Sequence, residues 1–229
     1  MPEATAVVFD LDDTLYEERR FALSGFAAVA AHLYAGKGAS PHETYRFLVR
    51  RFRAGARADG LQALCIAQGW PVADVTPLVE VIRTHAPRLR LPGRSRAVLT
   101  RLRGDGHRLG VLTNGLPSTQ RGKVAALGLE PLADAVVYAE ECAPGGKPAR
   151  ACFATVLARL GVHASAAVFV GDHLEKDIAG AAAAGLRTVW LSRGRVRPAC
   201  PAPDTVARRL ADVPTLVARL LRERHELAR

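Results

Sequence analysis

Val7-Val8-Phe9-Asp10-Leu11-Asp12-Asp13-Thr14-Leu15 is the stretch on which the fold turns. An apolar run of strand type stops abruptly at two acids spaced i, i+2, followed by a threonine. Side chains alternate along a strand, so Asp10 and Asp12 can serve one site only where the chain leaves the strand and turns. Open α/β sheets bind ligands outside the carboxyl ends of their strands. Two carboxylates at such a place repel unless a cation or a shared proton stabilises them. Asp-Asp-Thr is also good turn and helix-cap chemistry, so this stretch alone leaves a plain surface turn open.

Outward from it, strand-like runs recur at residues 6–9, 108–112, 135–138, 167–170 and 187–191. Helical patterns bounded by glycines separate most of the later ones, at 94–104, 118–128, 149–161 and 175–185. This alternation predicts an α/β fold with a parallel, doubly wound sheet. The tail, 205–227, contains an apolar helical repeat (Val213, Leu216, Val217, Leu220, Leu221) suited to packing on the core. Between Tyr16 and Leu91 only helical patterns occur, at 17–34, 42–53, 60–68 and 75–86. We read residues 16–91 as an inserted helical cap domain and 1–15 with 92–229 as the core, Leu91-Pro92-Gly93 being the re-entry hinge.

A chain of 229 residues, 49% hydrophobic, can bury a core domain with an insertion. Cys65, Cys142, Cys152 and Cys200 show no close ligand spacing and fit reduced thiols of a cytoplasmic protein. The first strand begins about six residues from Met1, which predicts no signal peptide. No apolar run reaches the roughly 18 residues of a membrane span. The net charge of +10 raises nucleic-acid binding, but the cations are scattered and not interleaved with aromatics, so neither nucleic acid nor membrane is expected as a partner. Nearly all are arginines; the lysines are Lys37, Lys123, Lys147 and Lys176. Arg46, Arg50, Arg51, Arg53 and Arg57 form a basic helical run, read as a solvated face or as a grip on a second anionic group.

Three further segments carry chemistry. In Leu109-Gly110-Val111-Leu112-Thr113-Asn114-Gly115 a buried-type strand ends at small polar residues. The Thr113 hydroxyl, the Asn114 amide and a free N–H at Gly115 could grip a phosphoryl oxygen; an ordinary Asn-Gly turn is the alternative. In Gly145-Gly146-Lys147-Pro148 the glycines allow close approach and the proline fixes the backbone beside a lysine able to balance nearby carboxylates. In Val168-Phe169-Val170-Gly171-Asp172-His173-Leu174-Glu175-Lys176-Asp177 another strand ends in an acid. Asp172 suits a hard cation such as Mg²⁺; Asp177 is an outer ligand, a support for Lys147, or simply a helix first-turn acid. His173 is read as a loop residue.

These four segments, in this order, resemble the haloacid dehalogenase superfamily, over essentially the whole chain. Asp10-x-Asp12-x-Thr14 matches its first motif, Thr113 the second, Lys147 the third and Gly171-Asp172-x-x-x-x-Asp177 the fourth. Gln120, Lys123 and Leu127-Gly128-Leu129 look like the branch of nucleotide and sugar-phosphate phosphatases. Arg150 stands where many relatives carry a second proline, with little effect expected on catalysis. The resemblance implies a Rossmann-like three-layer core, a helical cap of the first class and a Mg²⁺-dependent phosphohydrolase acting on a small phosphorylated metabolite, as monomer or homodimer. It makes Asp10 the nucleophile, Asp12 the acid and base, and Thr113, Asn114, Gly115 and Lys147 the phosphate-binding groups. Asp10, Asp172 and the backbone carbonyl of Asp12 would hold the metal, with Asp177 behind them. Three other readings stand beside this one: a phosphomutase, a 2-haloacid dehalogenase (which uses no Mg²⁺ and lacks an acid at the Asp12 position), and a non-catalytic binding module.

Overall fold

The computed structural model describes residues 4–55, 59–194 and 202–227. Arg57 and Cys200 lie outside the described residues. The chain divides into two compact units, residues 1–17 with 90–229, and residues 18–89.

The first unit is built on six strands: β1 (Ala6–Phe9), β2 (Arg108–Thr113), β3 (Ala135–Tyr138), β4 (Ala167–Gly171), β5 (Arg187–Leu191) and β6 (Thr205–Ala207). They form one sheet in the order β3-β2-β1-β4-β5-β6, every neighbouring pair parallel. Strands of such a sheet are covered on both faces, which is why β1 and β4 read as unbroken apolar runs rather than alternating ones. Helices α5 (Gly93–Gly104), α6 (Pro117–Leu127), α7 (Arg150–Leu160), α8 (Gly180–Ala183) and α9 (Val213–Leu227) connect and cover the sheet. Ala6 and Val8 of β1, Leu112 of β2 and Phe169 of β4 pack with Cys152, Phe153, Val156 and Leu160 of α7 and Ala181 of α8 into one core cluster. The architecture is α/β and Rossmann-like.

The topology sets the position of the site. From β1 the chain runs outward through β2 and β3 on one side, then through β4, β5 and β6 on the other. Strand order therefore reverses at β1, and the crevice of a doubly wound sheet opens at the carboxyl ends of the strands flanking that reversal. Asp10 follows β1, Thr113 ends β2 and Asp172 follows β4.

The second unit contains α1 (Arg19–Lys37), α2 (Pro41–Arg53), α3 (Gly60–Ala67) and α4 (Val75–Thr84). Helix α1 ends at Gly38 in the left-handed conformation (φ 64°) that closes helix C-termini. Ser40 caps α2 through the Glu43 N–H, with Pro41 at the first helical position. Val29, Leu33, Leu48, Leu64, Cys65 and Leu78 form a separate apolar cluster. No helix among the described residues is long and apolar enough to cross a membrane.

Two elements depart from the sequence reading. The tail contains the apolar helical repeat in α9, but residues 205–207 form the edge strand β6. The helix expected at 175–185 is a π-helical turn, Leu174–Ala179, continued by the short α8. Such turns are rare and are frequently found at functional sites.

Candidate active site

Lys147 organises the crevice. Its Nζ donates to Asp10 Oδ1 at 2.6 Å, to Asp177 Oδ1 at 2.7 Å and to the Leu112 carbonyl at 3.0 Å. An ammonium has three protons, so all of its donors are used, on a side chain that is 2% exposed. Asp177 is fixed in turn, its Oδ2 accepting the His173 N–H at 3.0 Å. Asp10 is tied to the sheet by its N–H, which donates to the Val170 carbonyl at 2.9 Å.

Local sequence explains these placements. A Cβ on Gly171 would fall 2.4–2.5 Å from the Asp177 side chain, so glycine at the end of β4 is what lets Asp177 lie against the strand. The Lys147 loop is clasped by Asn114. Its Oδ1 accepts the Lys147 N–H at 2.9 Å, and its Nδ2 donates to the carbonyls of Lys147 (3.1 Å) and Gly145 (3.3 Å). Gly146 turns at φ 65°, and a Cβ there would lie 2.8 Å from Asn114 Oδ1. The Lys147–Pro148 peptide bond is cis.

The expected phosphate grip is altered accordingly. The Asn114 amide serves the lysine loop, and the Gly115 N–H, expected to be free, donates to Glu140 Oε1 at 3.2 Å. Thr113 Oγ1 accepts from Gln120 Nε2 at 2.6 Å.

Asp12 has a setting that sequence reasoning missed. Its carboxylate accepts from Lys123 Nζ at 2.8 and 2.9 Å, from Gln120 Nε2 at 2.8 Å and from the Tyr16 hydroxyl at 2.5 Å. Gln120 and Lys123 are one helical turn apart on α6 and both buried, so one helix face delivers them together. Gln120 thus bridges Asp12 and Thr113. The sequence named Gln120 and Lys123 only as marks of the phosphatase branch; that both reach Asp12 is seen only in the structure.

Asp10, Asp172 and Asp177 each present one carboxylate oxygen, all within 4.8 Å of one another. Burial pushes the Asp10 carboxyl up to about 8, Lys147 pulling it back and Asp177 and Asp12 adding to the rise. Burial works against the charge of Lys147, yet Asp10 and Asp177 outweigh it and hold the ammonium above the ordinary lysine range. Burial therefore favours the neutral acid at Asp10, while the two neighbouring carboxylates favour the charged ammonium at Lys147. Oxygen donors so gathered fit a divalent cation.

In the helical unit, Arg46, Arg50 and Arg53 line a groove of about 680 Å³ with Phe47. Arg51 instead pairs with Asp59 at 2.7 Å. His173 Nδ1 accepts the Lys176 N–H at 3.3 Å, closing the π-helical turn.

The four strand-end segments coincide with a family model. Residues 4–185 match that of the haloacid dehalogenase-like hydrolases. The chain belongs to this family. Among haloacid dehalogenase-like hydrolases, it is 30% identical over 197 residues to a glyceraldehyde 3-phosphate phosphatase of Methanocaldococcus jannaschii, covering 83% of this chain and 86% of the relative. It is 33% identical over 219 residues to a ribulose-1,5-bisphosphate 5-phosphatase of Halopiger xanaduensis, covering 89% and 91%. A similar solved structure is a 2-haloacid dehalogenase from Pseudomonas syringae pv. Tomato DC3000, with TM-score 0.65, 28% identity and coverage of 94% and 99%.

Proposed function

We propose that this hydrolase cleaves a small phosphomonoester, a sugar phosphate or similar metabolite, through an aspartyl-phosphate on Asp10. The observation that carries the reading is the cluster of Asp10, Asp172 and Asp177, two of which, Asp10 and Asp177, bind Lys147. Phosphoryl transfer is catalysed mainly by positioning and by charge stabilisation, and this crevice supplies both. Asp10 attacks phosphorus, splitting one hard displacement into two easier ones. Lys147 fixes the Asp10 carboxylate through Oδ1 and offsets phosphoryl charge by its own, while the Thr113 hydroxyl donates a hydrogen bond to a phosphoryl oxygen. Asp12 gives a proton to the departing oxygen and takes one from the water that cleaves the intermediate. To do so it exchanges one of its present donors (Tyr16, Gln120 or Lys123) for the substrate. Asp10, Asp172 and the Asp12 carbonyl would hold Mg²⁺, which would supply positive charge against the transferring phosphoryl group. The helical unit, residues 18–89, provides substrate selection, with the arginines of its groove as candidates. The free thiols of Cys65, Cys142 and Cys152 support a reducing, cytoplasmic setting.

The dehalogenase relative gives the competing reading, since fold alone does not decide between the chemistries. Dehalogenation has no phosphate to bind and no need of a cation; the acidic cluster and the elaborated setting of Asp12 favour phosphatase. The test pairs two assays on one preparation: phosphate release from an aryl phosphate with Mg²⁺ and with excess chelator, and chloride release from L-2-chloropropionate. Mg²⁺-dependent phosphate release without chloride release is expected. Chloride release, with no phosphate released under either condition, would overturn the proposal.

A further inference from the structure

The turn after β1 also borders a cavity that Lys147 does not line. The Thr14 hydroxyl, on a residue 3% exposed, has no hydrogen-bond partner among the described residues. Leaving a buried hydroxyl unpaired is costly, and native structures normally give such a group a protein, water or ligand partner. Thr14 lines a cavity of about 310 Å³ within the unit that carries the sheet. Its other lining residues include four arginines: Arg94 from the start of α5, Arg193 from just beyond β5, and Arg208 and Arg209 from just beyond β6. No carboxylate among the described residues lines it.

Local acids only partly occupy these arginines. Arg94 stands 3.7 Å from Glu17, Arg193 lies 3.8 Å from the Asp13 carboxylate while donating to the Asp13 carbonyl, and Arg209 lies 3.0 Å from Asp212. Each pairing uses part of a five-donor fork on a side chain that solvent still reaches. Arg208 has no ion pair among the described residues. Four arginines around one small cavity, beside the buried Thr14, match the oxygens of a phosphate or carboxylate.

We propose that this cavity binds an anionic group of a small metabolite, at a place that Asp10, Thr113 and Lys147 do not line. Tyr16 lines the same cavity and donates its hydroxyl to Asp12, so an anion there sits one side chain from the residue assigned as acid and base. The anion is either a distal group of the substrate or a separate effector; the chemistry of recognition is the same for both.

Inorganic phosphate titrated calorimetrically into the metal-free full chain tests this without turnover, so the outcome is independent of the phosphatase reading. A phosphate site weakened about tenfold by Arg208→Ala, and also weakened by Thr14→Val, is expected. Kinetics then separate the sources. A KM raised in Arg208→Ala for a sugar bisphosphate, but not for an aryl phosphate, identifies a distal substrate group. Equal KM values for both, with the phosphate site still lost, identify an effector. Phosphate binding that is absent, or identical in wild type and both variants, overturns the proposal.

Discussion

Asp10→Asn removes one negative charge from a buried cluster while nearly preserving its shape. It leaves Lys147 balanced by Asp177 alone, so the metal-free variant should melt no lower than wild type at pH 8, while aryl phosphate turnover falls at least about a thousandfold. Appreciable turnover would remove Asp10 from its role. The burial of Asp10 has a pH signature. Because burial raises the folded Asp10 carboxyl from 3.8 to about 8, the folded state binds more protons than the unfolded state between those values. Stability then falls as pH rises through that window. Metal-free protein should therefore lose melting temperature between about pH 4 and pH 8, and saturating Mg²⁺ should flatten the trend; an unchanged slope would count against a cation among these acids. At Asp12, Lys123→Met should lower kcat about ten- to a hundredfold with the fold retained by circular dichroism, as expected of a side chain that orients a reacting one. The sequence made Asp10 and Asp172 legible as charges at strand ends and Lys147 as a lysine in a glycine-rich loop. It could not show that Asn114 clasps the lysine loop or that Gln120 bridges Asp12 to Thr113, because those partners depend on side-chain directions fixed only in three dimensions.

Elements that bury a continuous apolar face were legible from the chain, and those decided by neighbours were not. Strands β1 to β5 announce themselves as apolar runs, and α9 by the spacing of Val213, Val217, Leu220 and Leu221, all buried. Strand β6 spans three residues, too few for any period, and exists because β5 offers it an edge. The π-helical turn after β4 has the composition of an ordinary helix, and Asp177 within it meets Lys147. Gly171 ties the two levels together. Gly171→Ala should push Asp177 away from Lys147, costing about 1–3 kcal/mol of stability by overpacking and most of the activity. Equilibrium urea unfolding would check the first effect. An alanine variant as stable and active as wild type would show that Asp177 can move at no cost.

At the scale of the whole molecule, one fold serves both phosphatases and dehalogenases, and the reaction is decided by a handful of side chains at the strand-order reversal. The positive net charge is spread over the chain and favours approach of anionic substrates in general without naming one. The central claim is covalent chemistry at Asp10, and it can be observed directly. In Asp12→Asn, an aryl phosphate with a good leaving group should still load the nucleophile, while the water step, deprived of its base, should lag. Rapid acid quench of that variant with Mg²⁺, borohydride trapping and peptide mapping by mass spectrometry should find the acyl phosphate on Asp10, approaching one per chain. Phosphate released at a measurable rate with no adduct at Asp10, or with the adduct on another residue, would contradict the account.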